Sequence, residues 1–282
     1  MKVLVFGRSG QVARELARRL PEAVCLGRDA ADLSVPGAAA RAVADHAPDA
    51  VINAAAWTAV DAAETERDAA MRLNADAPGE IAAAARDAGA VLVHLSTDYV
   101  FDGTSGPWRP DDPTGPVSAY GETKLAGERA VADAMGQGGW AILRTAWVFS
   151  AHGSNFVKTM LRVGAERDVL RVVEDQRGGP TPADAIAAAC VTVAEGLRAG
   201  QAGGVHHFAG APDTTWAGFA RAIFDRAGMA TRVEGIPSSE YPTPAARPAD
   251  SRLDCASLET AFGIARPDWQ AGLDRVLAEL KA

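Results

Sequence analysis

Tyr120 and Lys124 stand four residues apart in the stretch Tyr120-Gly121-Glu122-Thr123-Lys124. On a helix that spacing puts a phenol and an amine on one face, about 5–6 Å apart at Cβ. A free phenol titrates near ~10 and a free lysine near ~10.4. An ammonium fixed beside the phenol favours phenolate and draws the tyrosine toward neutrality, which makes a proton donor for a carbonyl under reduction. The plain alternative is a half-buried tyrosine beside a solvated lysine. A second candidate lies upstream, where the apolar run Val91-Leu92-Val93-His94-Leu95 ends in Ser96-Thr97-Asp98. A hydroxyl at the end of a buried strand can hold a substrate carbonyl; the plain alternative there is a turn cap by Ser96 or Thr97.

These groups need elements to hold them. Ser118 is placed to cap a helix that carries Tyr120 and Lys124 and runs to about residue 136. The chain begins with the strand Lys2-Val3-Leu4-Val5-Phe6 and turns through Gly7-Arg8-Ser9-Gly10-Gln11-Val12-Ala13 into a helix with Val12, Leu16 and Leu20 on one face. Gly7 and Gly10 let the backbone turn sharply and approach a pyrophosphate at the helix N-terminus, where free N–H groups favour anions. Small Ala13 lets helix and strand lie close. The turn predicts a dinucleotide site.

Val24-Cys25-Leu26 reads as the second strand, and its end should meet the adenosine ribose. An acid there holds a 2′-hydroxyl, whereas an arginine accepts a 2′-phosphate. This chain carries Gly27-Arg28-Asp29, which favours NADPH slightly over NADH through Arg28. The open alternative is a solvated Arg28 with Asp29 on the ribose. Asp32 and Leu33 follow and would border the adenine. A helix over 37–46 leads to the strand Ala50-Val51-Ile52-Asn53 and on to Ala54-Ala55-Ala56-Trp57-Thr58. Small residues at a strand end suit a closely approaching cofactor, or else a packing layer in an Ala-rich chain. A long helical region is predicted from residue 60 to about 88, with Asn74 either exposed or bonded to a loop.

Trp140 to Arg144 makes a further strand. Strand and helix in alternation predict an α/β fold, a Rossmann-type doubly wound parallel sheet covered on both faces. Past residue 150 the regularity weakens, with a helix over 155–167, a strand over 169–173, a helix over 183–199 and a strand over 204–208. The expected division is a dinucleotide-binding domain in 1–150, with about 183–208 returning to it, and a smaller C-terminal α/β substrate-binding domain in 151–282. Within the Pro- and Arg-rich stretch 236–252, Arg247 and Arg252 either hold an anion or stand solvated on a connector.

Composition narrows the function classes. With 282 residues, 48% of them hydrophobic, the chain has material for one large or two smaller cores. A net charge of −8 without a Lys/Arg block argues against nucleic acid and anionic membrane as partners. No apolar run reaches the length of a membrane span, and the N-terminus reads as a buried strand, not a signal peptide. Cys25, Cys190 and Cys255 are far apart and odd in number, which predicts a reduced, cytoplasmic protein. There is no nucleophile elbow, no His-Glu-x-x-His and no P-loop, and the five histidines lack ligand spacing, so no metal site is assigned.

Six phrases kept in order carry a resemblance that covers nearly the whole chain. They are Phe6-Gly7-x-x-Gly10-Gln11-Val12, Asn53-Ala54-Ala55-Ala56-x-Thr58-Ala59-Val60-Asp61, Ser96-Thr97-Asp98-Tyr99-Val100-Phe101, Tyr120-Gly121-Glu122-Thr123-Lys124-Leu125-Ala126-Gly127-Glu128, Arg144-Thr145-x-Trp147-Val148 and Arg247-Pro248-x-x-Ser251-Arg252-Leu253. The chain thereby resembles the dTDP-4-dehydrorhamnose reductases, extended short-chain dehydrogenases/reductases. The resemblance implies NAD(P)H-dependent reduction of the C4 ketone of dTDP-4-dehydro-β-L-rhamnose to dTDP-β-L-rhamnose, a nucleotide sugar for cell-surface polysaccharide. It implies Thr97, Tyr120 and Lys124 as the catalytic set. Gly7, Gly10, Gln11 and Val12 would meet the pyrophosphate, and Ala55, Ala56, Trp57, Thr58 and Leu95 would flank the cofactor beside Tyr120 and Lys124. Thr97, Asp98 and Trp147, with Arg247 and Arg252, would meet the dTDP-sugar. Two departures stand out. Trp57 takes the place of a frequent His, and Gly27-Arg28 replaces the acid at the end of the second strand. Some family members dimerise around Mg²⁺ held by acidic side chains. Glu15 fits that pattern and Asp184 is shorter than the usual Glu, so a homodimer stays open and Mg²⁺ is not claimed. The alternatives are another nucleotide-sugar reductase or epimerase, and a non-catalytic NADP-binding subunit resembling the regulatory partner of methionine adenosyltransferase. An intact Thr97, Tyr120 and Lys124 argues against the latter.

Overall fold

The computed structural model describes residues 1–281. Its first half lays down β1 (Val3–Phe6), β2 (Val24–Leu26), β3 (Ala50–Asn53), β4 (Val91–Thr97) and β5 (Trp140–Thr145). A sixth strand, Gly204–His207, joins the edge beside β5, and the sheet runs Gly204–His207, β5, β4, β3, β1, β2. Every pairing in it is parallel. That explains why β1 is an unbroken apolar run and β3 is apolar up to Asn53, neither alternating: helices cover both faces, so each residue is buried.

The helices that cover it are α1 (Gln11–Arg19), α2 (Ala38–His46), α3 (Arg67–Met71), α4 (Ala77–Asp87) and α5 (Ala119–Met135), together with Ala183–Arg198. Strand alternation sorts the core into two layers. Val3, Val5 and Ile52 pack with Val12, Leu16 and Ile186, so α1 and Ala183–Arg198 share one face. Leu4, Phe6, Val51 and Leu92 pack with Val43, Ile81 and Val131, so α2, α4 and α5 share the other. The chain runs outward from β1 to β2, then crosses to β3 on the opposite side of β1. This reversal opens a crevice beyond the carboxyl ends of β1 and β3, where open α/β sheets bind ligands.

A second cluster gathers Phe149, Leu170, Phe219, Trp269 and Leu273 around a parallel pair, Val169–Val173 with Arg232–Ile236. The long helix expected after residue 60 is broken. A 3₁₀ turn at Ala62–Glu64 is followed by α3, a wide π turn at Arg72–Asp76 and α4. The π turn buries Asn74 completely. Asn74 Oδ1 accepts from the Trp57 N–H at 2.8 Å, and its amide donates to Trp57 O at 3.1 Å and to Thr123 Oγ1 at 3.0 Å. The loop after β3 is thus clamped to the tyrosine helix. Among the described residues no helix is long and apolar enough to cross a membrane.

Candidate active site

The crevice is a cleft of about 1000 Å³ running from the glycine turn to the ends of β4 and β5. Gly7 sits at φ +121°, and a Cβ there would press on Ala13 Cβ at 3.2 Å and the Ala54 carbonyl at 3.3 Å. Only glycine makes that turn and keeps α1 against β1. Gly10 forms the N-terminal cap of α1 with no side-chain partner and open space where a Cβ would stand. The free N–H groups of α1 therefore face the cleft, as a pyrophosphate needs. Gly7, Gly10, Gln11, Val12, Arg28, Asp32, Leu33, Ala55, Ala56, Thr58 and Leu95 all line it. Thr97, Asp98, Tyr120, Lys124 and Trp147 line its other end.

Ser118 caps α5 as expected, its Oγ accepting from Gly121 N at 3.3 Å, and Glu64 adds a second acceptor to Ala119 N at 2.9 Å. Tyr120 meets the ring of Tyr99 edge-on, 5.5 Å between centroids. Lys124 is buried, and its Nζ donates to Leu95 O at 2.7 Å. The electrostatics correct the reading of the pair as an ammonium drawing the phenol toward neutrality. Burial pushes Tyr120 up to about 12, a hydrogen bond with Thr97 pulls it back in part, and the Asp98 charge raises it. Burial brings Lys124 down to about 8, with Glu128 opposing. Lys124 is anchored by its bond to Leu95 O, and burial keeps Tyr120 a neutral phenol with a proton to give.

Thr97 Oγ1 donates to Asp98 Oδ1 at 3.0 Å and accepts from Tyr99 N at 3.2 Å. Burial raises the Asp98 carboxyl to about 6, nearby hydroxyls of Ser251 and Thr97 opposing. Asp98 Oδ2 and Thr145 Oγ1 are buried polar atoms of the cleft wall with no protein partner. Thr97 on β4 pairs in register with Thr145 on β5, which brings both strand ends to this wall.

One buried ion pair fixes α5 to the sheet. Arg144 of β5 grips Glu128 of α5 in a fork, Nε to Oε1 at 2.9 Å and Nη2 to Oε2 at 2.7 Å, and Ser96 Oγ donates to the same carboxylate at 2.5 Å. The guanidinium lies over the Phe101 ring at 5.0 Å and donates to Pro110 O at 3.2 Å. Both carboxylate oxygens and all three guanidinium nitrogens are hydrogen-bonded, the condition under which a buried charge pair is tolerable.

Three candidates lie elsewhere. Trp57 packs with Ala63, Ala70 and Ala119 beside Tyr120 and is not part of the cleft wall. Arg247 pairs with Asp61 at 3.0 Å, and Arg252 pairs with Asp250 at 2.6 Å while donating to Gly106 O at 3.0 Å. Neither arginine lines the cleft; both brace the tail 236–252 against the loops that precede α3 and α5. Among the lining residues that sequence reading passed over are Arg8 and Trp216. Arg8 reaches from the glycine turn to Asp29, 2.9 Å apart, so Asp29 faces Arg8 and Arg28 stays exposed. Its place between the two glycines was the available signal. Trp216 stacks on Trp147 at 3.6 Å and 10°, and Trp147 adopts φ +48°, rare for a bulky residue. Nothing in the sequence announced that partnership, because the two tryptophans lie on elements far apart in the chain.

The acidic side chains that could have held Mg²⁺ face cations of the chain instead. Glu15 lies 3.3 Å from His152 and 3.6 Å from Arg18, Glu279 lies 2.6 Å from Arg18, and Asp184 lies 3.0 Å from Arg275. Among the described residues no group of three or more His, Cys, Asp or Glu is arranged for a metal.

The family model described as the RmlD substrate binding domain matches residues 1–282. A dTDP-4-dehydrorhamnose reductase of Burkholderia thailandensis is 47% identical, over 99% of this chain and 99% of its own. A crystal structure of a dTDP-4-dehydrorhamnose reductase from Clostridium acetobutylicum superposes with a TM-score of 0.94 at 36% identity, covering 100% of both chains. That of the Bacillus anthracis enzyme, solved with NADP, gives 0.92 at 32% identity over 99% of this chain and 100% of the other. With Thr97, Tyr120 and Lys124 gathered at the sheet end that the glycine turn faces, the chain belongs to the RmlD substrate binding domain family, among the dTDP-4-dehydrorhamnose reductases.

Proposed function

We propose that the protein reduces the C4 ketone of dTDP-4-dehydro-β-L-rhamnose to dTDP-β-L-rhamnose. A nicotinamide cofactor, NADPH in preference to NADH, supplies the hydride when bound. The reading is supported above all by the convergence of Thr97, Tyr120 and Lys124 on one end of a cleft whose other end is a glycine turn backed by free helix N–H groups. Tyr120, neutral at working pH, gives its proton to the developing alkoxide. Thr97 has one hydrogen to offer and turns it from Asp98 to the carbonyl oxygen. Lys124, anchored on Leu95 O, holds the nicotinamide ribose. Asp98 Oδ2 and Thr145 Oγ1 accept from or donate to sugar hydroxyls, and the Trp147–Trp216 stack forms a flat wall for the sugar nucleotide. In this division of labour residues 1–150, rejoined by 183–208, hold the cofactor and most of 151–282 shapes the sugar site.

The test is turnover. Purified protein with NADPH should consume the cofactor on addition of dTDP-4-dehydro-β-L-rhamnose and not on addition of GDP- or UDP-ketosugars. Equal rates with all three would replace this reading by a broader nucleotide-sugar reductase.

Coenzyme choice is tested at the ribose end. The exposed Arg28 and the Asp29-held Arg8 are the cations there. A charged hydrogen bond to phosphate is worth about 1.5–3 kcal/mol, roughly ten- to a hundredfold. Arg28→Ala should cut kcat/KM for NADPH by about tenfold and spare NADH, and the same selectivity in Arg8→Ala would bring in the second cation. Parallel losses with both coenzymes would remove Arg28 from the phosphate.

A further inference from the structure

Among the buried ionisable side chains that the mechanism above leaves unused, one touches the catalytic lysine. His94 lies on β4, fully buried, with both ring nitrogens facing polar atoms. Its Nδ1 is 3.1 Å from Asn53 Nδ2 and its Nε2 is 3.5 Å from Lys124 Nζ. Asn53 is itself oriented, because its Oδ1 accepts from Ala55 N at 3.2 Å. The Asn53 amide nitrogen must therefore be the group that faces the ring, and it donates. Nδ1 then accepts, and the proton of the neutral imidazole sits on Nε2. That N–H points at the lysine nitrogen. An ammonium there would meet donor against donor, whereas a neutral amine would offer its lone pair.

We infer that Asn53 and His94 are a positioning pair for Lys124, presenting an imidazole N–H to its nitrogen and so easing the loss of its proton during the catalytic cycle. The inference rests on the proposed reductase reading and extends it one layer inward. After Tyr120 has given its proton away, the ammonium N–H breaks, the phenolate O–H forms and a neutral amine remains, which His94 stabilises as donor. The amine takes a proton back from solvent through the open cleft. The groups that face Lys124 are few. His94 and the Leu95 carbonyl come from β4, and Glu128, held by Arg144 of β5, comes from α5 itself. Burial and the Lys124 charge both hold His94 far below the usual histidine range, so it stays a neutral donor throughout.

Two measurements decide it. Nitrogen-15 NMR of the ring should find His94 as the Nε2–H tautomer at neutral pH, and the Nδ1–H tautomer would overturn the inference. The second is the pH profile of kcat/KM, whose basic limb reports loss of the proton that Lys124 returns to Tyr120. In His94→Gln the amide can turn its carbonyl to the ammonium, and the limb should move up by about one pH unit. Asn53→Asp keeps the Ala55 contact but accepts from the ring, so it should switch His94 to Nδ1–H and also raise the limb. A folded variant whose limb stays in place, whatever its melting temperature, makes His94 a packing residue and sinks the proposal. Tyr120→Phe serves as the reference. Wild-type turnover in that variant is a failure of the reductase reading, whereas a required Tyr120 with an unmoved limb is a failure of the His94 inference alone.

Discussion

Tyr120→Phe lowers kcat/KM at least about a hundredfold and leaves the fold intact. The substitution removes one oxygen and keeps the ring that meets Tyr99 edge-on and packs beside Trp57. Lys124 keeps its bond to Leu95 O, so cofactor affinity changes little and the loss falls on kcat. The size of the effect follows from the neutral phenol. With its proton held up to about 12, Tyr120 gives it up only to a strong base, and the alkoxide formed by hydride delivery is one. Without that hydroxyl the alkoxide must take its proton from water. Initial rates of reduced-cofactor absorbance loss measure the effect, and a melting curve beside them confirms the fold. Wild-type rates in the variant would take Tyr120 out of the chemistry.

Arg144→Met costs about 3–5 kcal/mol of stability, the usual result of leaving one member of a buried ion pair alone. Glu128 then keeps only the Ser96 hydroxyl in a site the guanidinium had filled. The companion Arg144→Met with Glu128→Leu removes both charges and should recover most of the loss, since apolar replacements of buried pairs are often neutral. Urea unfolding midpoints at constant slope read both. A loss under about 1 kcal/mol in the single variant would show a pair solvated enough to behave as a surface bridge. Activity reports separately, because the pair ties the tyrosine helix to β4 and β5 and a loosened α5 moves Tyr120 relative to Thr97.

The layout of the cofactor half was legible because its rules are local. Apolar runs of three to seven residues, each followed by a turn and a 3.6-residue period, leave few topologies for a parallel sheet. The Ser118 cap and the strand ends at Asn53 and Thr97 followed from the same rules. What resisted was whatever depends on distant pairing. Arg247 and Arg252 have the charge an anionic ligand wants, but whether Asp61 or Asp250 reaches them first is decided by folding, not by spacing. The π turn that buries Asn74 looks in sequence like an uninterrupted helix. The Tyr120–Lys124 relation was read from charge alone, which omits the desolvation that dominates both groups once α5 is packed. His94 sits in an apolar strand and gives no sign of its two partners.

At two points helix α5 rests directly on neighbouring backbone. A Cβ on Gly121 would overlap Tyr99 O, and one on Gly127 would overlap Asn74 O. Backbone against backbone has no rotamers to exchange, so the separation between phenol and threonine is insulated from repacking elsewhere in the core. Drift among the many alanines around the sheet can soften the protein without retuning the acid. On warming, with the Arg144–Glu128 pair in place, loss of activity should track the unfolding of the helix itself.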